Sequence, residues 1–169
     1  MDVLTSIKGR RSIRKYSQVF IEEEKLGIIM EALRLAPSAS NSQKWEFIFV
    51  TDKEKRKKLG EAADGQKFIQ EAPVTVVGVA TEDEYVMMCG QKSSTINVSI
   101  AMAYMTLEAY ELGLGTCWLG HFDEEKVKET LNIPGSMRVV AISPLGYPDE
   151  DPDERPRKSC DEVISFNDF

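Results

Sequence analysis

Residues 8–16 read Lys-Gly-Arg-Arg-Ser-Ile-Arg-Lys-Tyr, and Lys8, Arg10, Arg11, Arg14 and Lys15 fall within eight residues that contain no acid. The chain around them is acidic, with 21 Lys and Arg against 28 Asp and Glu and a net charge of −7. The stretch is therefore an island of positive charge beside Gly9 and Ser12. Arginine forks and a serine hydroxyl are donors suited to a phosphate monoester. A second island, Arg155, Arg157 and Lys158, directly follows the acidic run Asp149, Glu150, Asp151, Asp153 and Glu154. Each island alone reads more readily as solvated surface than as a phosphate site.

Outward from the first island, Val3, Leu4 and Ile7 fit one face of a short helix that stops at Gly9. Glu22–Ala36 carries Leu26, Ile29, Met30 and Leu33 at helical spacing, with acids in the first turn and Pro37 at the end. Ser38–Lys44 is a polar loop. Trp45–Thr51 and Ala72–Ala80 read as buried strands, Met137–Leu145 as a third, and Thr116–Leu119 as a short apolar strand. Lys53–Ala63 is a basic helix; its lysines and Arg56 read as an anion site or, more simply, as a solvated face. Ile96–Leu112 is a long helix with apolar residues on several faces, so it must be covered on more than one side. Gly113 reads as its C-cap. Asp123 caps a helix through Leu131, stopped at Pro134-Gly135. The remainder, about 150–169, reads as an extended arm ending in the apolar Val163, Ile164 and Phe166. The pattern is α+β, one domain of 169 residues with an arm.

Composition narrows the function. At this length roughly 70% of the unfolded surface can be buried, so a core needs no staples. An acidic surface repels phosphate backbones, which argues against nucleic acid as a partner. Cys89, Cys117 and Cys160 are far apart and form no CxxC pair, which points to reduced thiols rather than a disulfide framework or zinc site. Met1–Thr5 has no basic or apolar leader region, and Val74–Ala80, the longest apolar stretch, is too short for a membrane span. The expectation is a cytoplasmic protein with no membrane partner. His121 is the only histidine, so any Ser-His or Cys-His machine would depend on it. No spacing suggests a metal site, and Gly113, Gly115 and Gly120 do not form a dinucleotide fingerprint.

Four segments, in order, resemble one family. Arg10-Arg11-Ser12-Ile13-Arg14-Lys15-Tyr16 is similar to the opening motif of the FMN-dependent nitroreductases. Ala36-Pro37-Ser38-Ala39-Ser40-Asn41-Ser42-Gln43-Lys44-Trp45 resembles the second motif, with Lys44 where the family usually has proline. Glu111-Leu112-Gly113-Leu114-Gly115-Thr116-Cys117-Trp118-Leu119-Gly120 resembles the third, and Arg155-Pro156-Arg157-Lys158 sits where the family carries a C-terminal basic pair. The matches span residues 3 to 165.

The resemblance implies a mostly antiparallel central sheet flanked by helices, and a homodimer with two shared FMN sites and an arm exchanged between subunits. By position, Arg10, Ser12 and Arg14 would hold the phosphate and ribityl chain, with Arg11 adjacent, and Arg155 and Arg157 would complete the phosphate cage. Pro37, Ser38, Ala39 and Asn41 would line the flavin from the other subunit. Leu119, Gly120 and His121 would lie against the isoalloxazine, with the Gly120 amide near N5, and Gln66 falls near a ribityl-contacting position. Two separated basic islands then make sense, because both would meet one phosphate of about −2 charge. Flavin chemistry needs no side-chain base, so no catalytic residue and no metal are expected. The implied activity is NADH- or NADPH-dependent reduction of a small acceptor, nitroaromatic, quinone or similar, by ping-pong hydride transfer. Alternatives are a relative with other flavin chemistry, such as reductive dehalogenation, and a non-catalytic flavin-binding module. The stretch between Ala80 and Lys92 is short for the family, which implies an open site.

Overall fold

The strand β2 (Val74–Ala80) is buried along its whole length, because helices cover both faces of the sheet it centres. Along it, Val74, Val76 and Ala80 face one core and Val77 and Val79 the other, the period-2 alternation of a strand. This computed structural model describes residues 2–82 and 84–169. Met1, read above for a leader, and Asp83, within the short Ala80–Lys92 stretch, lie outside the described residues.

β2 pairs antiparallel with β1 (Trp45–Val50) on one side and with β4 (Arg138–Gly146) on the other. The short β3 (Gly115–Thr116) closes the far edge, again antiparallel, giving the order β1-β2-β4-β3. One core is made by α2 (Glu23–Arg34) and α5 (Ser93–Glu111), whose Ile29, Leu33, Val98, Met102 and Met105 are buried against the sheet. The opposite core holds Leu59 of α3 (Lys53–Ala62) and Val127 of α6 (Glu124–Leu131), packed with Cys117, Leu119 and Ile142. The expected α+β class with a mostly antiparallel sheet is what is found.

Local chemistry sets several ends. Asp52 and Asp123 each accept a backbone N–H from the first turn of α3 and α6, as the Asp123 reading expected. Gly113 takes φ 75°, which fits its expected cap role after α5. The stop of α6 is corrected: Asn132, left-handed at φ 56°, ends it two residues before Pro134. β1 ends at Val50, so Thr51 is outside it, and Ala72 and Pro73 precede β2. α5 runs Ser93–Glu111, starting three residues earlier than expected. A five-residue helix, α4 (Lys67–Glu71), was not anticipated, being too short to show a period. On α3 the lysines are exposed, but Arg56 is not a solvated residue: its Nη1 donates to the carbonyls of Gln70 and Ala72. The arm is not fully extended, since Cys160–Val163 forms a short helix, α7, with a Ser159–Glu162 capping box.

β3 owes its neighbour to a missing side chain. A Cβ on Gly115 would lie 2.7 Å from Ile13 Cγ1 and 2.8 Å from Ile13 Cβ, so only glycine admits the basic loop at this edge. Replacing Gly115 with valine is expected to cost about 1–3 kcal/mol of stability through overpacking and to loosen the loop. Urea unfolding monitored by circular dichroism checks it, and a change within about 0.5 kcal/mol would contradict the packing argument.

Candidate functional site

The helix α1 (Val3–Gly9) ends at the basic loop, which then runs parallel to β3, with Ser12 bridging Thr116 and Ile13 N–H donating to Thr116 O at 2.9 Å. Tyr16 is buried and its hydroxyl donates back to Ile13 O at 2.6 Å. Burial pushes that phenol far above its ordinary pKa, so it stays neutral as a donor. From the other side, the segment after β4 is laced to the loop: Ser17 N–H donates to Tyr147 O and Asp149 N–H to Lys15 O, both at 2.9 Å. The Arg14 N–H donates to the Glu150 carboxylate. Gly9–Tyr16 is thus held by sheet, core and tail together.

The arginines of this loop differ in what they are free to do. Arg11 Nη1 donates to Lys8 O at 2.6 Å and to Gly9 O and Arg10 O at 3.1 Å, and so satisfies the open carbonyl end of α1. Its Nη2 lies 3.7 Å from a Glu154 oxygen. Arg14 is exposed and its Nη1 reaches Ser12 O at 3.4 Å. Arg10 is half-buried, and its guanidinium has no hydrogen bond or ion pair among the described residues. It walls a cleft together with Arg11, Tyr110, Thr116, Glu150 and Asp151. Ser12 is half-buried beside the Cys117 thiol.

Further along the same edge, Leu119 exchanges two backbone hydrogen bonds with Ile142, at 2.9 and 3.0 Å. This turns Leu119 into the core and leaves Trp118, Gly120 and His121 facing out. Gly120 lines two hollows, one with Asp64 and His121, the other with Lys92, Thr95 and Arg138. The α3–α4 turn is fastened here by the Asp123 N–H to Ala62 O bond of 2.8 Å. Gln66, half-buried at the head of α4, sits two residues from Phe68, which packs against Ile13 and Tyr16. One sheet edge therefore gathers Arg10, Ser12, Arg14, the Gln66 turn, Leu119 and Gly120.

Two expected groups are not joined to that edge by any hydrogen bond or ion pair among the described residues of one chain. The Pro37–Asn41 loop is fastened to α5 instead, with Ala39 N–H donating to Asn97 Oδ1 at 3.0 Å. Ser38 Oγ accepts the Gln43 N–H at 3.0 Å. Asn97 is a buried polar residue that sequence reasoning missed, because an asparagine inside an apolar helix carries no motif. Lys44, which stands where proline is usual, pairs with Glu82 and ties this loop to the short Ala80–Lys92 stretch. Arg155 and Arg157 are exposed on the arm, and the Arg157 Nη1 donates to its neighbour Pro156 O at 3.4 Å.

Among the described residues, no hydrogen bond joins a cysteine to His121. Cys117 is 3% exposed, and burial raises its thiol pKa despite Arg14, Ser12 and Arg10 acting the other way. His121 points to Asp64, 3.8 Å away, on the open surface. Among the described residues, no helix is long and apolar enough to cross a membrane.

With the edge described, likeness to known proteins can be weighed against it. The sequence profile of the nitroreductase family matches residues 7–85 and 63–147, which takes in the basic loop, the Pro37–Asn41 loop and the Gly113–Gly120 edge. A putative NADH dehydrogenase/NAD(P)H nitroreductase of Methanothermobacter thermautotrophicus is 34% identical over 165 residues, covering 92% of this chain and 82% of the relative. An FMN reductase [NAD(P)H] of Bacillus subtilis is 31% identical over 173 residues, covering 92% and 70%. The solved structure of an FMN-dependent nitroreductase from Clostridium difficile R20291 superposes with a TM-score of 0.83 at 34% identity, covering 98% of this chain and 99% of that one. Motif, sheet order and near full-length similarity agree, and the chain belongs to the nitroreductase family.

Proposed function

We propose that the protein is an NAD(P)H-dependent FMN oxidoreductase that passes electrons to a nitroaromatic, quinone or similar small acceptor by ping-pong turnover. The observation that carries this reading is Arg10, a half-buried guanidinium with no hydrogen-bond or ion-pair partner among the described residues, beside Ser12 and Arg14 in an acidic chain. Such a donor set suits a phosphate monoester. When bound, FMN supplies the hydride acceptor and donor. Everything else falls to this chain: Arg10, Ser12 and Arg14 hold the phosphate and ribityl chain, Arg11 shapes the loop they stand on, and Gln66 borders the ribityl chain. The backbone of Leu119 and Gly120 supports the ring, and the open hollows beside Gly120 admit nicotinamide and acceptor in turn.

The rest of the site belongs to a homodimer. Val3, Leu4 and Ile7 of α1 and Tyr104 of α5 are exposed apolar residues, and Val3, Leu35 and Tyr104 line one groove. An apolar face of this kind on one protomer is surface meant for covering. A partner there would bring its Pro37, Ser38, Ala39 and Asn41 toward the flavin, while arms exchanged between protomers bring Arg155 and Arg157 to the phosphate. Residues 1–169 then act as one flavin-binding domain with about 150–169 as the arm, in a cytoplasmic dimer.

An absorption spectrum of the purified protein followed by anaerobic titration with NADH or NADPH tests the activity. Yellow protein that bleaches supports it; flavin that binds and never bleaches would mean a non-catalytic binder, and a colourless protein that takes up no FMN would overturn it. On the same reading no side chain carries chemistry, so Cys117→Ala and His121→Ala should each reduce flavin within about tenfold of wild type, against the hundredfold or more lost with an essential acid–base group. Stopped-flow measurement of the reductive half-reaction decides this; a loss of about a thousandfold with FMN still bound would restore a side-chain mechanism.

A further inference from the structure

The cradle that Arg10, Ser12 and Arg14 form already has anions in place. Five acids fall within residues 149–154, and the structure runs this segment along the basic loop, with Glu150 half-buried and the other four exposed. Glu150 takes the Arg14 amide, Asp149 N–H donates to Lys15 O, and Glu154 sits 3.7 Å from the Arg11 guanidinium. The cleft walled by Arg10 and Arg11 is also walled by Glu150 and Asp151.

We propose that the acidic run Asp149–Glu154 is a built-in counter-ion of the phosphate cradle, which holds the basic loop in shape and competes electrostatically with the phosphate, so that FMN is bound weakly enough to exchange. The inference rests on the FMN reading above. Its physics is plain: a dianion held by Arg10 gains from the cations but meets Glu150 and Asp151, which line the same cleft as Arg10, and like charges oppose it through a partly screened surface medium. Within the run the roles divide. Glu150 is fixed by its bond to the Arg14 amide and serves the loop's shape, whereas Asp151 and Glu154 are exposed, and Glu154 shares Arg11 with three carbonyls. Asp151 and Glu154 are therefore the residues that tune affinity, and neutralising them leaves the loop's backbone bonds intact.

The test compares FMN with riboflavin, which lacks the phosphate, by flavin-fluorescence titration of wild type, Glu154→Gln and the double variant Asp151→Asn/Glu154→Gln. At low salt the FMN Kd should fall about threefold in the single and about tenfold in the double variant. Riboflavin affinity should not change, and the FMN gain should shrink at high salt as screening removes the repulsion. An FMN Kd that is unchanged or higher in the double variant, or a riboflavin Kd that falls equally, overturns the counter-ion role. Failure of the wild-type protein to bind either flavin would instead overturn the FMN reading itself, so the two failures are distinct.

Discussion

Replacing Arg10 with alanine is expected to lower FMN affinity roughly tenfold to a hundredfold, while Arg11→Ala leaves affinity much closer to wild type and lowers stability instead. The two residues are adjacent and equally charged. They differ because Arg11 spends its Nη1 on the carbonyls of Lys8, Gly9 and Arg10, whereas the Arg10 guanidinium has no partner among the described residues. A charge-assisted bond to phosphate contributes about 1.5–3 kcal/mol, which sets the affinity loss for Arg10. Losing a helix-end contact costs about 0.5–2 kcal/mol of folding stability by analogy with other caps. Equilibrium dialysis against FMN and thermal unfolding of both variants separate the effects. Arg10→Ala holding flavin as well as wild type would remove Arg10 from the cradle.

Truncation after Lys158 should have a still larger effect. It removes Val163, Ile164 and Phe166, which are 62%, 54% and 87% exposed in one protomer and touch no core. If the arm lies across a partner, each such side chain contributes about 1.5–3 kcal/mol on burial, and their joint loss weakens the dimer roughly a thousandfold or more. The cut keeps Arg155 and Arg157 but takes away what anchors them, so flavin content should fall with the dimer. Sedimentation velocity and the flavin-to-protein absorbance ratio read both. A truncated protein that remains dimeric with full flavin, or a full-length monomer that binds FMN stoichiometrically, would end the shared-site account.

Much of this architecture was legible in the residues because the signals are local. The helical spacing of Leu26, Ile29 and Leu33, the apolar run of β2 and the Asp123 cap each follow from physics acting over a few positions. The basic islands stand out for the same reason, since an acid-free run in an acidic chain is visible without any fold.

Other features needed the chain to be folded back on itself. α4 was missed because five residues show no period, and the end of α6 went to Asn132 because a left-handed asparagine competes with a downstream Pro-Gly stop. Asn97, buried on α5, has a purpose only once the Pro37–Asn41 loop arrives beside it from 58 residues away. The same holds at the cradle: sequence alone determined that five arginines and lysines beside Ser12 could meet a phosphate. Which arginine is left to do so was decided by tertiary structure, because the open carbonyls of α1 and the carboxylates of the tail compete for the same donors, and only their positions in space settle which donor each one takes.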